Sequence, residues 1–187
     1  MICWADTETG GLKEKINPIL SLGYVFTKDD SFEIIHENEI FIANKYNLEC
    51  NPEALRVNKI DLDYHAEHSV DPKEAINIFR EDLKRYFGRK RPVFGGHNFG
   101  FDLKFIEMMH ERENEEFRYH WRYHDTAHFF RVLKFLGVIN PDKVSMDNLM
   151  EYFRIKPHGQ RHSALADVHD LLNVLRRCKR LRLLKAI

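Results

Sequence analysis

Three β-prone segments crowd into the first 42 residues, and helical periodicity fills most of the rest of the chain. Ile2 to Thr7 reads as a strand that breaks into a turn at Asp6-Thr7-Glu8-Thr9-Gly10-Gly11. Pro18 to Thr27, with Ile19, Leu20, Leu22, Tyr24, Val25 and Phe26, reads as a second strand. Phe32 to Ile42 reads as a third, after the turn Lys28-Asp29-Asp30-Ser31. The three form an antiparallel meander. Asn51-Pro52 then starts a short helix with proline at its first position. Asp71-Pro72 opens a longer helix, with Ala75, Ile76, Phe79, Leu83, Tyr86 and Phe87 at helical spacing and Gly88 as the stop. Pro92 to His97 is a short buried strand, Phe101 to Arg112 a helix, Tyr119 to Asp125 a strand and Thr126 to Leu136 a helix. Ser145 caps another helix. The last runs from Ser163 to Leu184, with Leu165, Val168, Leu171, Leu172 and Leu175 as its core stripe. Strands first, then alternating helices and strands, indicate an α/β sandwich with a mixed sheet.

The 187 residues hold no repeat, low-complexity tract or Gly/Ser linker, so one domain is expected over residues 1–187. No apolar run approaches the roughly 20 residues that span a membrane, and the first residues lack the basic and apolar stretches of a signal peptide. The three cysteines, Cys3, Cys50 and Cys178, are far apart and odd in number. That pattern argues against a disulfide framework or zinc ribbon and suits a reducing, cytoplasmic setting. Acidic and basic residues balance at 29 each, which by itself counts against a protein that coats nucleic acid through charge. Basic residues nevertheless cluster at Lys84–Arg91 and Arg176–Arg182. Each cluster has two readings: a phosphate-neutralising patch, or a solvated loop and a solvated helix end where cations favour the dipole.

Four acids stand out by position. Asp6 and Glu8 lie two apart at the end of the first strand, so both carboxylates project to one side. Two like charges that close repel each other unless a cation lies between them. Asp102 falls in the first turn of the helix after the Gly96 strand, and Asp167 near the start of the last helix. His162 lies five residues before Asp167. Carboxylates from separate elements suit a hard cation such as Mg²⁺. Two such ions about 4 Å apart can activate a water on one side of a phosphodiester and stabilise the leaving oxygen on the other. Each residue also has a plain structural reading: a sheet-rim acid, a helix N-terminal acid, a solvated helix residue, a surface histidine.

Order and context favour the chemical reading. Asp6-Thr7-Glu8-Thr9-Gly10-Gly11-Leu12 resembles the first motif of the DEDDh exonucleases, a superfamily that includes RNase T, oligoribonuclease and the proofreading subunits of bacterial replicative polymerases. His97-Asn98-Phe99-Gly100-Phe101-Asp102 resembles the second motif, and His162-Ser163-Ala164-Leu165-Ala166-Asp167 the third. The resemblance implies an RNase H-like fold, a mixed five-stranded sheet flanked by helices. It implies 3′–5′ exonucleolytic hydrolysis with two Mg²⁺ ions, for which Mn²⁺ substitutes. Asp6, Glu8 and Asp167 match the ligands of one ion, with Asp6 bridging to a second that Asp102 holds largely through water. His162 matches the general base; an imidazole that titrates near pH 6.5 can take a proton from the attacking water at neutral pH. Thr9 and Leu12 match residues that touch the terminal nucleotide, near the 3′-hydroxyl and against the base, and Asn98 and Phe101 line the same pocket. Gly10-Gly11 would let the backbone approach the terminal sugar. Single-stranded DNA or RNA 3′ ends are the expected partners, and the family also allows a homodimer or a polymerase partner.

Three further groups carry competing readings. His120, His124 and His128 recur every fourth residue, as zinc ligands on one helix would, but a strand end at Asp125-Thr126 would take His120 and His124 off that helix. His65 and His68 lie in a polar stretch and are expected at the surface. Phe129, Phe130 and Phe135 sit at helical spacing, as core residues do. The alternative function is a proofreading or adaptor module that mainly docks on a polymerase or other nucleic-acid-processing partner. The complete acidic set argues against a non-cutting version, since an adaptor has no need of mutually repelling carboxylates.

Overall fold

A computed structural model describes residues 1–29, 31–159 and 163–183. Five strands form one mixed sheet: β1 (Ile2–Thr9), β2 (Ile19–Thr27), β3 (Ile34–Phe41), β4 (Val93–Gly96) and β5 (His124–Asp125), in the order β3-β2-β1-β4-β5. The first three are the expected antiparallel meander, and β4 and β5 join β1 in parallel. Of the strand expected over 119–125, only the last two residues pair in the sheet.

Among the described residues seven helices surround the sheet: α1 (Pro52–Asn58), α2 (Leu62–His68), α3 (Pro72–Phe87), α4 (Gly100–Arg112), α5 (Thr126–Phe135), α6 (Met146–Phe153) and α7 (Ala164–Arg180). Their starts follow capping chemistry. Asn51, Asp61, Asp71, Asp125 and Ser163 each accept a hydrogen bond from a first-turn N–H. Ser145 precedes α6 but instead donates to Asn148 Oδ1 at 2.7 Å. Helix α2 is not apparent in the periodicity, and it corrects the reading of His65. That histidine is buried, with Nε2 2.9 Å from the Leu20 carbonyl oxygen, because α2 packs back onto the sheet. Phe135 is the opposite correction: it stands 89% exposed at the last turn of α5, while Phe130 fills the core.

Strand alternation divides the core in two. Cys3 and Ala5 face a cluster with Ile76 and Phe79 of α3 and Phe105 and Ile106 of α4. Ile2 and Trp4 face the other, with Leu149 of α6 and Val168, Leu171, Leu172 and Leu175 of α7. Asp6 and Glu8 continue the Ile2–Trp4 face, and so point toward the start of α7. Among the described residues, no helix is long and apolar enough to cross a membrane.

Candidate active site

The site forms where β1 outruns its parallel neighbour. Pairing of β1 with β4 ends at Trp4↔Gly95, leaving the edge beyond Trp4 open on that side. Asp102, in the first turn of α4, reaches Thr7 at this open edge. Its Oδ1 accepts from the Thr7 backbone N–H at 3.0 Å and from Thr7 Oγ1 at 2.7 Å. On the other side of β1, the register with β2 shifts between Glu8 and Thr9, carrying the strand two residues beyond its expected end; such irregularities re-aim side chains next to functional sites.

Asp6, Glu8 and Asp167 converge, with one oxygen from each lying within 4.8 Å of the others. The donor set is entirely carboxylate, which suits a hard divalent cation. Burial is the main cause of the raised carboxyl pKa values. Asp6 is pushed well above the usual carboxylate range by burial and then by Asp102, Glu8, Asp167 and Glu39. Glu8, only 6% exposed, is raised to about 8 by burial and then by Asp167, Glu39 and Asp102. Asp102 is raised to about 7 by burial, against the lowering effect of the two Thr7 hydrogen bonds. Buried acids that repel one another favour either protons or a metal cation in their midst.

Beside this cluster a cleft of about 270 Å³ is lined by Asp6, His97, Asp147, Met150 and Asp167 among others. His97 serves as a clamp there. Its Nε2 donates to the Val144 carbonyl at 2.8 Å and its Nδ1 lies 3.0 Å from Thr126 Oγ1, tying the exit of β4 to α5 and the loop before α6. Burial pushes its pKa down, which favours the neutral ring. On the other side of the α7 N-terminus, Glu8, Glu39, Asn58, Tyr64 and Ser163 border a second cleft of about 330 Å³.

The turn after β1 is held firmly. Thr9 is buried, its Oγ1 donating to the Gly11 carbonyl at 2.7 Å and its own carbonyl accepting from Asn58 Nδ2 at 3.1 Å. A Cβ on Gly10 would lie 2.7 Å from Pro18 Cδ, and one on Gly11 2.5 Å from the Asn17 side chain. Packing within the turn by itself requires glycine at both positions. Leu12 stands 81% exposed beyond the turn. Asn98 is exposed, with φ 63°, and its N–H donates to Asp125 Oδ1 at 3.1 Å. Phe101 is partly buried, its ring 5.0 Å from that of Phe105. His162 lies outside the described residues.

Glu39 has no counterpart among the residues that the sequence singles out. It lies mid-strand in β3, and no local pattern marks it; only the sheet register brings it beside Asp6 and Glu8. The three histidines spaced by four do not form a cluster. His124 lies in β5, His128 is exposed on α5 beside Asp125, and Asp6, Glu8 and Asp167 are the one potential metal-holding group of three or more among the described residues.

Fold and site together define a mixed-sheet α/β protein with carboxylates gathered at a strand end in an arrangement that could hold a cation. The RNase T exonuclease family model matches residues 3–175, and the chain belongs to this family, among the DEDD-type exonucleases. No curated protein sequence matches it significantly. Solved structures of Escherichia coli exonuclease I share the RNase H-like fold. The complex with a dT13 oligonucleotide superimposes with a TM-score of 0.81 at 17% identity, covering 99% of this chain and 42% of that one. A zinc-bound complex with single-stranded DNA gives 0.80 at 17% identity, over 96% and 40%. A product-bound structure of an exonuclease I gives 0.79 at 15%, over 96% and 43%. The chain thus spans about two fifths of the length of these structures.

Proposed function

We propose that this chain is a 3′–5′ exonuclease of the DEDDh type that removes 5′-mononucleotides from single-stranded nucleic acid, using two divalent cations. The observation that carries this reading is the convergence of Asp6, Glu8 and Asp167 at the end of β1 in a chain of the exonuclease family. Asp6, Glu8 and Asp167 would hold one ion. Asp6 and Asp102 would serve the second, Asp102 by way of water. Mg²⁺ is the expected cation and Mn²⁺ the substitute. When bound, the cations supply Lewis-acid activation of the attacking water and charge stabilisation of the leaving oxygen.

The chain's own residues do the rest. Thr7 fixes Asp102 by two hydrogen bonds, so that carboxylate is preorganised. Thr9 ends β1 beside the acids, held by its hydrogen bonds to Gly11 and Asn58, and would meet the terminal 3′-hydroxyl. Leu12, exposed beyond that turn, would wedge against the last base, which costs unstacking energy in a duplex and little in a single strand. Asn98 and Phe101 would line the same pocket. His162 would accept the proton of the attacking water. Its replacement by alanine is expected to lower kcat about 100-fold or more, as loss of a general base does, with KM little changed. A variant that raises KM and keeps kcat would make His162 a binding residue.

The test of the whole reading uses labelled oligonucleotides that end in a 3′-hydroxyl or a 3′-phosphate, with Mg²⁺ or with chelator. A one-nucleotide ladder from the 3′-hydroxyl substrate alone, abolished by chelator, is expected. Early mid-chain fragments, equal rates on the two ends, or cleavage that persists in chelator would refute it. The carboxylates favour this reading over a non-cutting docking module, which would not require such a cluster.

A further inference from the structure

Asp6, Gly23 and Glu39 form one row across β1, β2 and β3. Directly opposed strand residues place their side chains on the same face, so Glu39 shares the α7 face with Asp6. Gly23 between them has no side chain, and the backbone of Ala164 and Leu165 fills the space a Cβ would need. Glu39 closes the far side of this seat. Ser163 Oγ lies 3.2 and 3.0 Å from the two Glu39 carboxylate oxygens, to which it donates, and the Leu165 N–H donates to Oε1 at 3.4 Å. The same Ser163 hydroxyl accepts from the Ala166 N–H at 3.4 Å. Glu39 and Ser163 thus satisfy two of the N–H groups that begin a helix without partners, and the carboxylate lies where the helix dipole favours it. It also adds negative charge beside Asp6 and Glu8. The tie therefore holds the start of α7 to β3 in spite of that repulsion.

We propose that Glu39 is a positioning residue of the nucleolytic site, tying residues 163–165 to β3 and so setting Asp167 against Asp6 and Glu8. The proposal rests on the exonuclease reading above. Glu39 acts through Ser163 and Leu165 and has no part in the chemical step.

The test compares Glu39→Ala, Glu39→Gln, Ser163→Ala and the Glu39→Ala/Ser163→Ala pair, measuring kcat and KM on a 3′-hydroxyl oligonucleotide and amide hydrogen exchange at Leu165 and Ala166. Small misplacements of reacting groups cost up to ~100-fold, so Glu39→Ala is expected to lower kcat about tenfold or more while KM moves less than about twofold. Exchange at both amides should quicken while that of β1 and β2 holds. Glu39→Gln keeps an acceptor and should recover most of kcat. Ser163→Ala should lower kcat, and the double variant should be no worse than Glu39→Ala alone. Wild-type kcat in Glu39→Ala, additive losses in the double variant, or an effect confined to KM would overturn the proposal, the last making Glu39 a substrate contact. Should Glu39→Ala fail to fold, wild-type kcat in Ser163→Ala overturns it. A wild-type protein that cleaves no oligonucleotide refutes the exonuclease reading instead, and the exchange measurement still decides whether Glu39 holds the turn.

Discussion

Removing a carboxylate from the end of β1 is expected to separate activity from stability. Asp6 is the proposed bridge between both cations, so Asp6→Ala should lower kcat by at least about 100-fold, or ~2.7 kcal/mol of barrier. The same change relieves repulsion with Glu8, Asp102, Asp167 and Glu39, so the melting temperature in chelator should hold or rise. A variant that keeps a tenth of wild-type turnover would remove Asp6 from the metal site. The raised pKa values also give the metal-free protein a pH signature. Glu8 is held at about 8 and Asp102 at about 7, above their ordinary 4.5 and 3.8. Between these ordinary and raised values the folded chain retains protons that the unfolded chain has released. The stability that these two groups contribute is therefore full below pH ~4 and falls as pH rises toward ~8. Thermal melts in chelator should show Tm lower by about 5 °C or more at pH 8.5 than at pH 5, with excess Mg²⁺ or Mn²⁺ narrowing the gap by replacing those protons. A Tm that climbs across this window would contradict the burial of charge described here.

The seating of α7 on the sheet turns on one residue without a side chain. A Cβ at Gly23 would lie 2.2 Å from Leu165 N and 2.4 Å from Ala164 C, both backbone atoms. Strand β2 is hydrogen-bonded on both sides there, to Asp6 and Glu39 partners, so the helix start has to yield. Gly23→Ala should cost about 1–3 kcal/mol, and because Asp167 rides on that first turn, kcat should fall about tenfold or more with it. Thermal melts and steady-state rates on the purified variant check both; unchanged rates would mean that the end of α7 tolerates displacement.

Zero net charge conceals a molecule with two unlike ends. Strand β1 runs from Ile2 to the carboxylates, and α7 runs the other way, from Asp167 at the site to Arg180. Arg176 donates to the Phe32 carbonyl at the Ile2 end of the sheet. Arg89, Lys90 and Arg91 lead into β4 at that same end, beside Val93↔Ile2. The 13 residue steps from Asp167 to Arg180 span roughly 20 Å at 1.5 Å per residue, well beyond the ~8 Å screening length at physiological salt. Replacing Arg89, Lys90 and Arg91 together by serine should therefore leave kcat/KM on a trinucleotide within about twofold of wild type, since the four strand steps from Asp6 back to Ile2 alone span ~13 Å, beyond the screening length. A larger loss would place this cluster within reach of the site.

Spacing alone put Asp6 and Glu8 on one face of a strand and Asp102 in a first helical turn; what marked the four acids as a set was the resemblance of three ordered motifs to those of the DEDDh exonucleases, since each acid by itself also has a plain structural reading. Strand and helix periods likewise marked most elements, from the meander to the stripe of α7. Neighbours made by register and packing were beyond its reach. Glu39 lies 33 residues beyond Asp6, and the two meet across Gly23 only once three strands pair. His65 reads as a surface residue until α2 folds its ring against the Leu20 carbonyl. Pairing with β4 stops at Trp4, and beyond it the Thr7 N–H and hydroxyl both meet a carboxylate from the next helix, that of Asp102. Side-chain type and spacing are written along the chain; which backbone groups are left unpaired, and which charges must share a buried space, is decided only by the pairing of distant strands.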